Sequence, residues 1–168
     1  MIKIGKNIGK FSTYSCRPTD KKELISIIKS RMFKEGLNCD LSDIDTSLIT
    51  DMSWLFYESG FNGDISNWNV SNVKDMTSMF RNATFNGDIS KWNTSNVIYM
   101  TSMFYKSKFN GDISSWDTSN VTTMHWMFAG SKFNQDISNW NIRQDCVTYD
   151  VFNGCSIKEK HKPKVLQR

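Results

Sequence analysis

The segment Phe61-Asn62-Gly63-Asp64-Ile65-Ser66-Asn67-Trp68 returns as Phe85 to Trp92, as Phe109 to Trp116 and, with Gln135 in place of glycine, as Phe133 to Trp140. The interval is 24 residues each time, with no insertion. A second block keeps the same beat: Met76-Thr77-Ser78-Met79-Phe80, Met100 to Phe104, and Met124-His125-Trp126-Met127-Phe128. A worn copy precedes these (Leu37, Asp40, Leu41, Ile44, Ile49, Met52, Leu55, Phe56), and a fading copy follows, keeping Val151 and Phe152. Five coils result: 37–60, 61–84, 85–108, 109–132 and 133–156. One coil cannot bury its thin apolar stripe alone, so a fixed period of this length predicts a stacked array with atypical end copies.

Within a coil, the stretch from Ile65 to Trp68 predicts a strand. The spacing of Val73, Met76, Met79 and Phe80 predicts one or two helical turns. Gly63, Gly87 and Gly111 stand where a turn of positive φ would suit glycine. Ahead of the array, Pro18-Thr19-Asp20 and Glu23 form a capping box, and Leu24, Ile27, Ile28 and Met32 form one apolar stripe ending at Gly36. This predicts a helix within 19–36 that acts as a lid on the first coil. The resulting division is an N-terminal segment 1–18, a capping helix 19–36, the repeat array 37–156 and a basic tail 157–168.

Charge is uneven along the chain. Residues 1–36 carry nine Lys/Arg against three Asp/Glu, residues 37–156 seven against thirteen, and residues 157–168 five against one. An acidic body argues against nucleic acid as the main partner, and the basic ends are expected to be solvated tails. Neither a run of about 18 apolar residues nor an h-region after Met1 is present. The expectation is a cytoplasmic protein without membrane insertion.

The F-N-x-D-I-S-x-W and S-N-V-x-x-M-x-x-M-F blocks resemble the BspA-like leucine-rich repeat family, the variety abundant in mycoplasma lipoproteins and bacterial surface proteins. The resemblance covers 37–156, and the helix ahead of it looks like that family's lead-in. It implies a right-handed α/β solenoid: a leucine-rich-repeat-like stack of about five coils, each with a short parallel strand and a short helix. It also implies roles in adhesion and protein–protein contact, without catalysis. No lipobox cysteine or wall anchor accompanies the repeats.

Several residue sets invite a chemical role. The ladder Asp64, Asp88, Asp112 and Asp136 suggests calcium, but one carboxylate per coil is a thin ligand set. Asx caps on local backbone N–H groups are the favoured reading. The columns Asn62/86/110/134 and Asn72/96/120 are read as structural amides. Cys16, Cys39, Cys146 and Cys155 make no C-x-x-C pair and are read as free thiols. With no nucleophile, phosphate or dinucleotide pattern, no enzyme and no cofactor or metal are expected.

Exceptions to the repeat are more telling. Trp54 and Trp126 fill the slot of Ser78 and Ser102, Tyr57, Arg81 and Tyr105 share another slot, and Tyr99 and His125 stand beside them. These seven residues are the expected protein-binding surface, since exposed Trp, Tyr and Arg dominate binding hot spots. The functional expectation is a non-catalytic interaction scaffold, an inhibitor or adaptor of phage or bacterial origin that modulates a cytosolic protein complex. The alternatives are a surface adhesin, nucleic-acid binding through Lys3, Lys6, Lys10 and the 158–168 tail, and self-association through open edges.

Overall fold

The computed structural model describes residues 14–167. The helix α1 spans Lys21–Glu35, with Asp20 as N-cap accepting the Glu23 N–H at 2.8 Å. The Glu23 carboxylate reaches back to the Thr19 N–H, completing the expected box. Gly36 ends the helix at φ 90°. Leu24 and Ile28 are buried in the same core as coil one, so α1 does cap the amino end.

Beyond α1, the residues 37–156 pile up in register, yet not as the expected α/β solenoid. Among the described residues these coils contain no α-helix, and the strand pairing is reduced to isolated parallel bridges such as Asp51 to Asp75, Asp75 to Tyr99 and Tyr99 to Thr123. The expected strand at Ile65–Trp68 is a turn, closed by the Trp68 N–H on the Ile65 carbonyl at 3.1 Å. The expected helical turns are a run of three-residue turns instead: Leu55 N–H to Met52 O, Tyr57 to Trp54, Ser59 to Phe56.

The physical reason lies in the alternate donors. Met52, Trp54, Phe56 and Glu58 each send their N–H along the stack to Asp75, Thr77, Met79 and Arg81 at 2.8–2.9 Å. A helix would need all of these N–H groups for its own carbonyls four residues back. Two left-handed residues per coil make the alternation possible: Trp54 and Glu58, Ser78 and Asn82, Ser102 and Lys106, Trp126 and Gly130, Asp150 and Gly154, with φ between 50° and 67°. Left-handed residues recurring every four positions are incompatible with an α-helix.

The glycine expectation needs a second correction. Gly63, Gly87 and Gly111 do not have positive φ. They are glycine because the chain is crowded there: a Cβ on Gly63 would lie 1.9 Å from the Cys39 carbonyl oxygen, and on Gly87 or Gly111 2.8–2.9 Å from the Phe ring two residues earlier.

The core consists of ring columns. Phe56, Phe80, Phe104, Phe128 and Phe152 stack at 5.5–5.8 Å between centroids. Phe61, Phe85, Phe109 and Phe133 stack at 6.1–6.3 Å. Trp92, Trp116 and Trp140 stack at 6.3–6.5 Å. Each indole also donates to the coil before it, as Trp116 does to the Ile89 carbonyl at 3.1 Å. Buried hydroxyls of Thr46, Thr94 and Thr118 donate to the carbonyls of Asn69, Asp117 and Asn141, while Val70 fills the same slot as plain bulk.

The carboxylate ladder is engaged as Asx caps. Asp64, Asp88, Asp112 and Asp136 each accept the N–H two residues on, from Ser66, Ser90, Ser114 and Ser138, at 2.8–2.9 Å. The Asn columns run between coils: the Asn62 Oδ1 accepts the Asn86 N–H, and the Asn96 amide donates to the Ser71 carbonyl. All four cysteines are free.

The tail differs from expectation as well. Lys158–Gln167 does not fray but turns through two 3-10 segments, Glu159–His161 and Lys164–Leu166, with Ile157 and Pro163 buried. Its anchor is specific: the Ile137 N–H donates to the His161 carbonyl at 2.9 Å, and Asn134 Oδ1 accepts the Lys158 N–H. The expected strand alternation at Ile2 and Ile4 and the lysines Lys3, Lys6 and Lys10 lie outside the described residues.

Two outcomes test this description. Truncating one rung of a column, Phe104→Ala, is expected to cost about 3–5 kcal/mol in urea unfolding. The second concerns acid. The Ser90 amide and hydroxyl hold Asp88 below the usual carboxylate range, the Ser119 hydroxyl and amide do so for Asp117, and the Ser138 amide and hydroxyl for Asp136. Burial alone would raise Asp51, but Ser53 and Lys21 outweigh it and hold it low. A carboxylate lowered on folding stabilises above its unfolded value, and the benefit goes as pH falls through the folded value. The melting temperature by calorimetry is therefore expected to hold down to about pH 5 and to drop below about pH 4.

Candidate functional site: an aromatic and cationic strip

The first left-handed slot of the coil holds tryptophan in two copies and serine in two, at nearly the same φ. At φ 61° and 56°, Trp54 and Trp126 turn out of the stack and are 51% and 40% exposed. Serine in the same slot is buried at Ser78 and Ser102. The slot three residues on carries Tyr57, Arg81 and Tyr105 in successive coils, one above another.

These side chains meet. Trp54 and Tyr57 pack edge to face at 5.1 Å. The Arg81 guanidinium lies 4.6 Å from the centre of the Tyr105 ring, and the Lys106 ammonium lies 5.2 Å from the same ring. Tyr105 continues to Trp126 at 6.1 Å, Trp126 to His125 at 4.3 Å, and His125 to Tyr149 at 5.4 Å. The contacts form a strip from Arg81 in coil two to Tyr149 in coil five, with Trp54 and Tyr57 a separate pair on coil one. Of the seven expected residues, Arg81, Tyr105, His125 and Trp126 are joined in it. Tyr99 is 45% exposed but makes no ring contact with the others among the described residues.

Tyr149, 70% exposed, and Lys106 were not anticipated from sequence. A signal existed for Tyr149, because it occupies the slot of His125 exactly one period later. It was obscured by the missing methionine at Thr148, which marks that copy as degenerate.

Electrostatics keep the strip available. The Arg81 Nε is buried without a hydrogen-bond partner, and Arg81 makes no ion pair among the described residues. Its positive charge is held by a ring face instead of a carboxylate. The Glu58 carboxylate, hydrogen-bonded to the Tyr57 hydroxyl, pushes that phenol above its ordinary value. Trp126 Nε1 donates to Asp150 Oδ2 at 3.3 Å, and the His125 ring rests on the Tyr149 carbonyl. Rings fixed in this way lose little rotamer freedom on contact.

No three His, Cys, Asp or Glu side chains among the described residues converge as a metal set. No described helix is long and apolar enough to cross a membrane. The tail lysines Lys158, Lys160 and Lys164 are exposed, whereas Lys162 pairs with Glu159 and covers the Phe152 ring.

The fold and strip define a repeat protein whose exposed features are side chains on a rigid stack. The chain belongs to the family described as "Mycoplasma protein of unknown function, DUF285", matched over residues 28–128 and 100–161, a family associated with BspA-like mycoplasma repeat proteins. No curated protein and no solved structure matches the chain.

If Arg81 is held by the Tyr105 ring, the pair is energetically coupled. A double-mutant cycle with Arg81→Ala and Tyr105→Ala is expected to give about 0.5–1 kcal/mol of coupling in urea unfolding.

Proposed function

We propose that this protein is a non-catalytic scaffold for protein–protein contact, and that the strip Trp54, Tyr57, Arg81, Tyr105, His125 and Trp126 is its contact surface. The observation that carries the reading is the continuity of the strip. Aromatic and cationic side chains touch one another from Arg81 in coil two to Tyr149 in coil five, with the Trp54–Tyr57 pair on coil one, on a backbone fixed by its own period. Large rings with two torsions each, held before contact, are what hot spots need. With Nε buried and the guanidinium over a ring face, it is the two terminal Nη groups of Arg81 that would meet a partner's carboxylate or carbonyl oxygen. Tyr99 widens the surface on a neighbouring column. The family's association with BspA-like repeat proteins agrees with a contact role.

The partner would lie across several coils, which suits a folded protein surface better than a small molecule. Pull-down from a bacterial lysate with the wild type and with Tyr105→Ala/Arg81→Ala is expected to lose at least one captured protein in the variant, with melting temperature nearly unchanged. Equal recovery of every captured protein removes this surface from consideration.

A further inference from the structure

A stack that sends alternate N–H groups forward must end on a row with no coil to receive them. In coil five the donors of that row are Thr148, Asp150, Phe152 and Gly154. Their counterparts Met124, Trp126, Phe128 and Gly130 all donate to Val147, Tyr149, Val151 and Asn153 at 2.8–3.2 Å. Among the described residues no acceptor meets the four terminal donors. They line a cavity of about 620 Å³, whose far wall is the turned-back tail with Lys162, Val165, Leu166 and Gln167.

The tail fills only part of this end. It takes the Ile137 N–H and packs Lys162 over the Phe152 ring, so it closes the side near Asn134 and leaves the side of 148–154 open. A whole sixth coil has no room beside it. A second copy stacked head to tail is also obstructed. The carbonyls of Asp51, Ser53, Leu55 and Tyr57 that would receive the row lie at the end capped by α1, where Lys21 binds the Asp51 carboxylate and the Ser53 hydroxyl. What fits is a single short segment that takes up the coils' own three-residue turns, so that its alternate carbonyls accept four in-register N–H groups, with apolar side chains turned toward Phe152 and Leu166.

We propose that the groove between Thr148–Gly154 and the tail binds a short peptide segment of a partner protein as one more rung of the stack, in the turn conformation of the coils. This site is separate from the aromatic strip, and its recognition rests on backbone carbonyls instead of rings and charge. A segment folded in that way repeats the pairing that every earlier coil already makes.

The probe is a synthetic peptide with the sequence of residues 99–105, solubilised by two terminal lysines, because that segment supplies carbonyls to the equivalent row in coil two. In the free full-length chain, the amides of Thr148, Asp150, Phe152 and Gly154 are expected to exchange with solvent at least tenfold faster than those of Met124, Trp126, Phe128 and Gly130. Saturating peptide is expected to slow the four at least tenfold and to leave the amides of Met124 to Gly130 unchanged. Thr148→Pro, which removes one donor, is expected to weaken peptide binding about tenfold at an unchanged melting temperature. No slowing with peptide overturns the proposal. So does slow exchange already present in the free dilute chain, which would mean the chain fills its own groove. Slowing that grows with protein concentration alone would assign the groove to a second copy and overturn it equally. A failed pull-down with the strip variant would leave these exchange rates unaffected.

Discussion

Every second backbone N–H in the block from Met52 to Glu58 and its repeats is committed to the next coil, and the remaining ones close local turns. This division of donors is the constraint from which the rest follows. A coil that kept its N–H groups to itself would curl into a helix. One that gave them all away would need a flat strand on each side of it. The alternation sets each coil directly over the last, so that residues 24 apart share a column and phenylalanine meets phenylalanine at about the thickness of a ring pair. Each such hydrogen bond contributes only about 0.5–1.5 kcal/mol net. Their larger effect is to hold the rings in register, where burial of large aromatic area supplies most of the stabilisation. It also explains why the period tolerates no insertion: one added residue would turn donors into turn-closers along the whole coil.

The column arrangement was legible in the sequence, and the local conformation was not. Met76, Met79 and Phe80 lie three and four apart, which suits one face of a helix. The same spacing also places them inside when successive three-residue turns carry a left-handed residue at every fourth position. Period alone cannot separate these, and the residue types did not help, since Trp54, Ser78 and Lys106 are not side chains usually found in the left-handed region. Glycine misled in the opposite sense: Gly63 marks a close approach to the Cys39 carbonyl, not a special φ. The tail was read from its lysines as solvated, although Ile157 and Pro163 carried the packing information and His161 offered a carbonyl in the right place.

For the candidate surface, the repeat itself was the instrument of detection. Where a slot is filled by serine twice and tryptophan twice, packing does not require the tryptophan, and the excess bulk must go outward. That logic pointed to Trp54, Tyr57, Arg81, Tyr105, His125 and Trp126, of which the structure brings Arg81, Tyr105, Trp126 and His125 into one strip and Trp54 and Tyr57 into a separate pair. Tyr99, expected with them, is exposed but makes no ring contact with the others among the described residues. The same logic missed Lys106 because lysine at an exposed slot is unremarkable until its ammonium is seen above Tyr105.

The two ends of the stack are chemically unlike, and the chain treats them unlike. The amino end shows carbonyls, and α1 covers it with Leu24 and Ile28 while Lys21 neutralises Asp51. The carboxyl end shows amides. A full cap there would repeat the turns of a coil beside Thr148–Gly154 and offer a carbonyl at every second residue. The tail instead turns at Glu159–His161 and again after the buried Pro163, which has no N–H and fixes its own φ. Those turns carry its carbonyls away from the four donors and bring Val165 and Leu166 opposite them as a wall. A sequence selected only to hide the end of the stack would gain more from repeating the coil, so the geometry of the tail is that of a groove side and not of a lid.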